Sequence, residues 1–222
     1  MTGPRWREAL RLHPTARRLA MTFDADRLAT DLERFDEKWW NPHAGPYHDG
    51  AWESVSLWAP RGDPFEQRSF GGVFAATPAL ALAPGIRQVL DQFSCERNRI
   101  RLMRLRPGGR ILRHSDPLHT IDPRLVRLHV PVVTNPEVFF LVNDQRVEMR
   151  PGEAWHVDVR FPHAVENRGT TTRVHLVMDL VRDPGLDQLL AQGAPVGHGR
   201  LLGYYAVHAL PASLRRAWGL GN

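Results

Sequence analysis

The chain has 222 residues, of which 42% are apolar and 24% charged, as in a globular protein with one sizeable core. Lysine and arginine number 29 against 24 acidic residues, so the formal net charge is +5, and Lys38 is the only lysine. The arginines are scattered without a block of like charges. This pattern indicates a compositional preference for arginine and argues against a nucleic-acid-binding stripe.

The single cysteine, Cys95, excludes a disulfide framework and a thiolate zinc site. No apolar run approaches the roughly 18 residues needed to span a bilayer, and the first 20 residues lack the apolar stretch of a signal peptide. We therefore expect a cytoplasmic protein without a membrane partner. At this length we expect a single domain over residues 1–222.

The N-terminal part, residues 1–98, is expected to contain helices, loops and short strands. Residues 1–38 have the pattern of helical pieces, in which Phe23, Leu28 and Leu32 recur at helical spacing and Asp24 is placed as an N-cap. The aromatic and Pro/Gly-rich segment that follows predicts loops around a short strand over 52–57. GIRQVLDQF then predicts a helix over 86–93.

From residue 99 to residue 181 the hydrophobic period changes to two. Short strands separated by turn signals are predicted over 99–106, 110–116, 124–133, 138–143, 146–150, 153–159 and 172–180. Many short strands at this spacing predict a mainly β protein with a sandwich or barrel core. Residues 182–222 return to helix-like pieces and are expected to form a C-terminal helical extension.

Two His-x-Asp pairs occur, His114/Asp116 and His156/Asp158, where composition alone predicts about 0.7 such pairs. Residues i and i+2 of an extended segment share a face, so each pair offers two metal ligands on one side. Downstream of the second pair, the histidines outside the predicted sheet lie in pieces without a strand pattern. This difference favours the first pair.

The first pair is followed, further along the chain, by another histidine and by an arginine. His163 follows Asp116 after 46 intervening residues, and Arg173 stands ten residues beyond His163 on the predicted strand over 172–180. Two histidines and one carboxylate form the facial triad of non-heme Fe(II) oxygenases, which leaves three coordination positions for a bidentate co-substrate and O2. The far carboxylate of such a co-substrate needs a cation.

Three runs of this sequence, RLMRLRPGGRILRHSD, RLHVPVV and PGEAWHVDVRFPHAVENRGTTTRVHLVMDL, resemble one known family. It is the bacterial branch of the aspartyl/asparaginyl β-hydroxylases, Fe(II)/2-oxoglutarate-dependent dioxygenases related to free-proline hydroxylases. The resemblance covers about residues 39–182. It implies a double-stranded β-helix, the cupin-like jelly roll, with flanking helices and with iron bound between the two sheets over 99–181.

Carried over by position, the resemblance implies His114, Asp116 and His163 as the iron ligands and catalytic residues. It implies Arg173 as the partner of the 5-carboxylate of 2-oxoglutarate. Fe(II), 2-oxoglutarate as co-substrate and O2 are therefore the expected cofactors.

Strand parity adds Arg127 and His129 to the candidate residues. They share one face of RLVRLHVPVV, and the other face carries only apolar side chains, namely Val126, Leu128, Val130 and Val132. An Arg and a His inside an apolar strand require a charged or polar partner. The resemblance implies that this partner is a carboxylate of 2-oxoglutarate or of the substrate. Arg127 and His129 are therefore candidates for binding 2-oxoglutarate, and Arg127 is also a candidate for binding the substrate. The same parity places Arg173 beside His175 and Val177.

The aromatic loop adds three candidate substrate-binding residues, Tyr47, His48 and Trp52. They resemble the family's Tyr-x-Gly-x-Trp neighbourhood, although His48-Asp49-Gly50 departs from its simple spacing. In this reading, the loops and strands of residues 1–98 lie on the substrate side of the site.

The expected function is hydroxylation of a C–H bond of an amino acid side chain, in a free amino acid or a short peptide, with succinate and CO2 as co-products. One alternative is a non-oxidative cupin that binds a metal or small ligand and tolerates Arg173→Ala. Another is a nucleic-acid-repair dioxygenase of the same fold, although we expect no nucleic-acid partner. The sequence leaves open the substrate, the carbon attacked, desaturation as an outcome, and the choice between monomer and homodimer.

Overall fold

Strands dominate the computed structural model, which describes residues 9–43, 46–67, 72–116, 122 and 124–208. The strands are β1 His13–Thr22, β2 Asn41–Pro42, β3 Trp52–Pro60, β4 Phe74–Ala76, β5 Arg97–Leu105, β6 Arg110–His114, β7 Leu125–Val133, β8 Val138–Val142, β9 Gln145–Arg146, β10 Glu153–Val157, β11 His163–Asn167, β12 Arg173–Val181 and β13 Ala194–Gly199. The α-helices are α1 Ala25–Leu32, α2 Pro84–Leu90, α3 Pro184–Gln192 and α4 Leu202–His208, and short 3-10 helices cover Glu37–Trp39 and Pro78–Leu82.

Eight consecutive strands, β5 to β12, form two antiparallel sheets. The larger sheet contains β5, β12, β7 and β10 in that order, and the smaller contains β6, β11, β8 and β9. The first strand of each set pairs with the last, β5 with β12 and β6 with β11. This winding is that of a double-stranded β-helix, and it confirms the predicted jelly roll with flanking helices. Strands β1 and β13 extend the larger sheet beyond β10, and β3 and β2 extend it beyond β5.

The two faces of the larger sheet differ in chemistry. Its outer face packs under the helices in one apolar core, to which β7 and β12 contribute Val126, Leu128, Val130, Val132, Val174, Leu176, Met178 and Leu180. Its inner face meets the smaller sheet in a second core that includes Val177, Phe140 and Val165. The polar side chains of β7 and β12 are buried on this inner face, as strand parity predicts.

The N-terminal helix supports the outer core. Asp24 caps α1, because its side chain accepts a hydrogen bond from the Arg27 N–H, and Leu28 is buried as the helical spacing predicts. Asp31 of α1 accepts a hydrogen bond of 2.8 Å from the Ile86 N–H of α2. The two helices are thereby fixed to each other above the larger sheet.

Several strands differ from the sequence predictions. Residues 13–22 and 194–199 form β1 and β13, where helical pieces were predicted, and no strand was predicted for β2, β4 or β11. The predicted strand over 146–150 is wrong, because β9 covers only Gln145–Arg146 and residues 147–150 form no strand. β1 pairs with β10 and β13, which come far later in the chain, so local periodicity carries no signal of this pairing. The predicted N- and C-terminal pieces over 1–8 and 209–222 lie outside the described residues. In the described part of the chain, no helix has the length and apolar character to cross a bilayer.

Leu176 tests the role of the central strand in the outer core. It is fully buried in β12 between β7 and β5, so we expect Leu176→Ala to lower the free energy of unfolding by about 3 kcal/mol. Urea denaturation followed by circular dichroism measures this loss. The control is Leu202→Ala, at a side chain that is 51% exposed, which we expect to change stability by less than about 0.5 kcal/mol. Equal losses in the two variants would contradict this assignment of the core.

Candidate metal centre and ligand pocket

The smaller sheet brings the three predicted metal ligands together. His114 ends β6, His163 begins β11, and the two residues are direct partners across the strands. Asp116 follows β6 by two residues, and its N–H donates to the Val159 carbonyl at 2.9 Å. One ligand atom from each of the three residues lies within 4.8 Å of the other two. Spacing of this kind is sufficient for a single ion to contact all three.

Backbone carbonyls orient both imidazole rings. Nδ1 of His114 lies 2.7 Å from the Leu112 carbonyl oxygen, and Nδ1 of His163 lies 3.0 Å from that of Phe161. A carbonyl only accepts, so each Nδ1–H donates and each Nε2 keeps its lone pair for a metal. Burial, and after it the electrostatic effect of the neighbouring His114, lower the pKa of His163 to about 4. Its ring is therefore neutral, as metal binding requires, at neutral pH.

Asp116 is ionised, and an arginine of the larger sheet holds its carboxylate in place. Its Oδ2 accepts a short hydrogen bond from Nη1 of Arg127, while its Oδ1 lies 3.5 Å from Nε2 of His114. Burial alone would raise the pKa of Asp116, but the Arg127 charge and the two histidines hold it well below its usual value. Oδ1 is therefore the oxygen that lies beside the His114 imidazole.

Arg127 meets carboxylates of the chain itself. Besides Asp116 it contacts Asp179, with Nε 2.7 Å from Oδ1 and Nη2 3.0 Å from Oδ2. The partner that strand parity required is thus present within the protein. Two of the five guanidinium N–H groups, one on each terminal nitrogen, are not used in these three contacts. The predicted contact of Arg127 with 2-oxoglutarate or substrate stays a prediction.

A second polar group on the inner face has hydrogen-bonding atoms without partners. Nη2 of Arg173 donates to Nδ1 of His175 at 2.8 Å, so the neutral His175 ring carries its hydrogen on Nε2. That Nε2, the Nε of Arg173 and both ring nitrogens of His129 are buried and have no hydrogen-bond partner among the described residues. Phe140 of the smaller sheet packs against all three, with its ring 5.7 Å from the Arg173 guanidinium carbon.

The electrostatics of this group favour an anion. Burial lowers the pKa of Arg173 to about 9, and burial and the Arg173 charge lower those of His129 and His175 well below the usual range. The histidines are therefore neutral, and Arg173 has no carboxylate beside it among the described residues. Leaving a buried donor unpaired costs about 1–3 kcal/mol, so an anionic acceptor at this place is strongly favoured.

The predicted substrate residues lie in one loop and strand beside the triad. The Tyr47 ring stacks on His114 with centroids 4.8 Å apart, and the Tyr47 carbonyl accepts from the Leu112 N–H. Trp52 is buried, and its ring stacks on His43 at 3.5 Å. Nε2 of His48 donates to the His43 carbonyl at 2.8 Å.

His43 also contacts Arg101, which the sequence analysis did not single out. Arg101 of β5 is 2% exposed, and its Nη1 donates to Nε2 of His43 at 3.2 Å. In the described part of the chain no carboxylate lies within ion-pair distance of Arg101. Burial, then the charges of Arg99 and Arg127, lower its pKa, the direction expected for a cation without an anionic neighbour.

The second His-x-Asp pair does not join the metal centre. Asp158 accepts from Nε and Nη2 of Arg160 at 2.8 and 2.7 Å and from the Arg160 N–H at 3.2 Å. It therefore fixes the turn between β10 and β11, which carries His163 at its end. The three-residue cluster with metal-binding geometry among the described residues is the one built on the first pair.

Comparisons with known proteins identify the family. The aspartyl/asparaginyl β-hydroxylase model matches residues 22–183, so the chain belongs to this family. Among individual relatives, L-proline cis-4-hydroxylase of Rhizobium meliloti (strain 1021) is 29% identical over 161 residues, which are 71% of this chain and 57% of that protein. The chain thus spans somewhat more than half the length of this relative.

Two solved structures are among those similar to this chain. A prolyl-4-hydroxylase of Pseudomonas putida is 18% identical with a TM-score of 0.46, over 77% of this chain and 94% of that chain. An oxidoreductase of the 2OG-Fe(II) oxygenase family from Burkholderia pseudomallei is 14% identical with a TM-score of 0.45, over 77% of this chain and 80% of that chain.

The residues of the site fit the cofactors of such an enzyme. Two imidazole Nε2 atoms and one carboxylate oxygen suit Fe(II) and leave three positions open. Arg173, with the Nε2–H of His175 beside it, suits the far carboxylate of 2-oxoglutarate. The set Fe(II), 2-oxoglutarate and O2 therefore agrees with the donor chemistry at both places.

Removal of one ligand tests the metal centre directly. We expect His163→Ala to weaken Mn(II) binding at least about 100-fold, because one of three protein ligands is lost. Titration of the protein with Mn(II), followed by the electron paramagnetic resonance signal of the free ion, measures the affinity. The control is His198→Ala on the exposed part of β13. Wild-type affinity in His163→Ala would contradict the site.

Proposed function

We propose that the protein is an Fe(II)/2-oxoglutarate-dependent dioxygenase that hydroxylates a C–H bond of an amino acid side chain, in a free amino acid or a short peptide, with succinate and CO2 as co-products. One observation carries the proposal. The triad His114, Asp116 and His163 shares the space between the sheets with the buried, unpaired donors of Arg173 and His175. A keto acid that binds the metal and carries a second carboxylate would fill the open metal positions and accept hydrogen bonds from these donors.

In this proposal the protein residues bind and orient the reactants. His114, Asp116 and His163 hold Fe(II), which when bound supplies the activation of O2 and couples decarboxylation of 2-oxoglutarate to oxidation of the substrate. Arg173 and His175 donate to the 5-carboxylate, and His129 lies between them and the triad. A guanidinium that grips a carboxylate with two donors fixes the orientation of the co-substrate as well as its position.

The same reasoning assigns a second carboxylate to Arg101. Arg101 lies on the inner face of β5 directly opposite Val177 of β12, and His129 lies opposite Val177 on the other side. Val177 is four positions along β12 from Arg173, roughly 13 Å along the strand. One small carboxylate cannot reach both guanidiniums, so we assign the 5-carboxylate of 2-oxoglutarate to Arg173 and the carboxylate of the substrate to Arg101.

The surroundings of Arg101 favour a small substrate with a free carboxylate. His43 is neutral, because burial and the Arg101 charge lower its pKa to about 2, and it serves as a hydrogen-bond acceptor for Arg101. The indole N–H of Trp52 and the hydroxyl of Ser54 are buried without partners among the described residues. A free α-carboxylate suits these donors, and an internal residue of a peptide has none.

Further expectations belong to the same proposal. Cys95 is buried and unpaired, which agrees with a reducing, cytoplasmic location. We take residues 1–222 to act as one domain with a small-molecule substrate and without nucleic acid. Tyr47, His48 and Trp52 would form the wall of the substrate pocket next to the triad.

Succinate formation tests the proposed reaction. The protein is loaded with Fe(II) and 2-oxoglutarate without oxygen, exposed to air, and assayed for succinate with the twenty amino acids, proline amide and a panel of short peptides. We expect at least one free amino acid to stimulate succinate well above the uncoupled background and to gain one oxygen atom by mass spectrometry. If neither an amino acid nor a peptide does so, the proposed substrate class is wrong.

Two controls in the same assay separate the alternative functions. Arg173→Ala is expected to raise the KM for 2-oxoglutarate by about 10- to 100-fold, since a charge-assisted contact of about 1.5–3 kcal/mol is lost. Normal ligand binding in this variant, with no succinate from the wild type, would favour the non-oxidative cupin. Stimulation by methylated single-stranded oligonucleotides, with salt-dependent binding, would favour the repair enzyme.

Arg101 supplies a separate prediction about the substrate. We expect Arg101→Gln to raise the KM for the amino acid by about 10- to 100-fold while the KM for 2-oxoglutarate changes less than about threefold. Steady-state kinetics with each reactant varied in turn measure both values. Arg97→Gln, on the same strand and with its guanidinium over Trp58, is the matched control. An unchanged KM for the amino acid in Arg101→Gln would contradict the assignment.

A further inference from the structure

A continuous row of buried charges extends from the metal ligand across the larger sheet. Asp179 is 1% exposed and lies in the central strand β12, directly opposite Arg127 of β7 and Arg99 of β5. Its Oδ1 and Oδ2 accept two hydrogen bonds from Arg127, of 2.7 and 3.0 Å. Its Oδ2 also accepts from Nε and Nη2 of Arg99, at 3.3 and 3.2 Å.

The geometry of Arg127 connects this row to the metal centre. The edge of its guanidinium with Nε and Nη2 is occupied by Asp179, which leaves Nη1 pointing to Oδ2 of Asp116. Since the guanidinium is planar and rigid, fixing one edge fixes the direction of the other. The orientation of Arg127 is thus determined by a residue that does not touch the triad.

We propose that Asp179 is a positioning residue for the iron site, because it holds Arg127 in the orientation that keeps Oδ2 of Asp116 occupied and leaves Oδ1 alone to bind the metal. This inference rests on the proposed function only in taking His114, Asp116 and His163 as the metal ligands. A carboxylate that binds through one oxygen takes one coordination position, and three positions then remain for 2-oxoglutarate and O2. Release of Arg127 frees Oδ2 and loosens the ligand.

Asp179→Asn tests the proposal with little change in shape. The substitution removes the negative charge and replaces one of the two acceptor oxygens by an NH2 group, so the ion pair and one of the two hydrogen bonds to Arg127 are lost while side-chain volume is kept. We expect the affinity for Mn(II), measured without oxygen by the resonance signal of the free ion, to fall about 10- to 100-fold, the usual effect of removing a group that orients a metal ligand. A decrease of less than fivefold overturns the proposal.

Glu53→Gln is the matched control. Glu53 also joins two arginines, since it accepts from Nε of Arg104 at 2.7 Å and from Nε of Arg106 at 2.8 Å, but this cluster has no contact with the triad. We expect its Mn(II) affinity to stay within twofold of the wild type. An equal loss in Glu53→Gln and Asp179→Asn would mean that any broken carboxylate bridge loosens the fold, and this result also overturns the proposal.

Circular dichroism and urea denaturation show whether Asp179→Asn folds. If it does not, a second variant tests the role of Asp179. Arg127→Lys keeps the positive charge beside Asp116 but lacks the planar fork that joins Asp116 to Asp179. We expect the same loss of at least fivefold in Mn(II) affinity, and an affinity nearer to the wild type overturns the proposal. Turnover plays no part in these measurements. Wild-type protein that binds Mn(II) but forms no succinate would overturn the proposed function, while the affinities still decide the role of Asp179.

Discussion

Four buried guanidinium groups on the inner face of the larger sheet determine what the site can bind. Charges taken out of water are costly unless they are paired and hydrogen-bonded. Asp179 and Asp116 balance Arg99 and Arg127, and both carboxylates belong to the chain. The remaining two guanidiniums, of Arg101 and Arg173, are buried without an anion among the described residues. Under the proposed function these two guanidiniums bind small carboxylates, whose number and separation follow from the sheet.

The central position of β12 explains how one strand serves the whole site. It is hydrogen-bonded to β7 on one side and to β5 on the other, so each inner-facing residue lies between two others at the same level. Asp179 thereby meets an arginine on either side, and Val177 separates His129 from Arg101. The outward residues of the same strand are wholly apolar and form the outer core. The outer face of this nine-residue strand thus contributes to stability, and its inner face contributes to the site.

Strand parity predicted much of this arrangement. The apolar face of β7, the pairing of Arg127 with His129 and the placement of Arg173 beside His175 all follow from the period of two. The same rule, extended by one step beyond Val177, reaches Asp179, which the sequence analysis left out. Arg101 was counted with the compositional excess of arginine, because alternation in RIRLMRLR marks a shared face but not which face is buried.

Other features depended on contacts that the sequence does not display. β1 and β13 pair with strands from distant parts of the chain, and this pairing overrides a local pattern that favoured helices. Strand parity required a charged or polar partner for Arg127, and the resemblance implied a carboxylate of 2-oxoglutarate or of the substrate. Neither indicated that Arg127 would meet Asp116 and Asp179. Which charges are balanced inside the protein, and which are left for a ligand, is settled only by the register between strands.

The alternation along β12 also limits how the length of this protein can change during evolution. An insertion or deletion of one residue within the strand would reverse the facing of every residue on one side of the change, turning inner residues such as Asp179 toward the outer core and bringing outer residues such as Met178 into the ligand space. Core and site would be lost in a single event. Substitutions can alter the pocket one residue at a time, whereas differences in length among related chains should be confined to the connections between strands and excluded from β12.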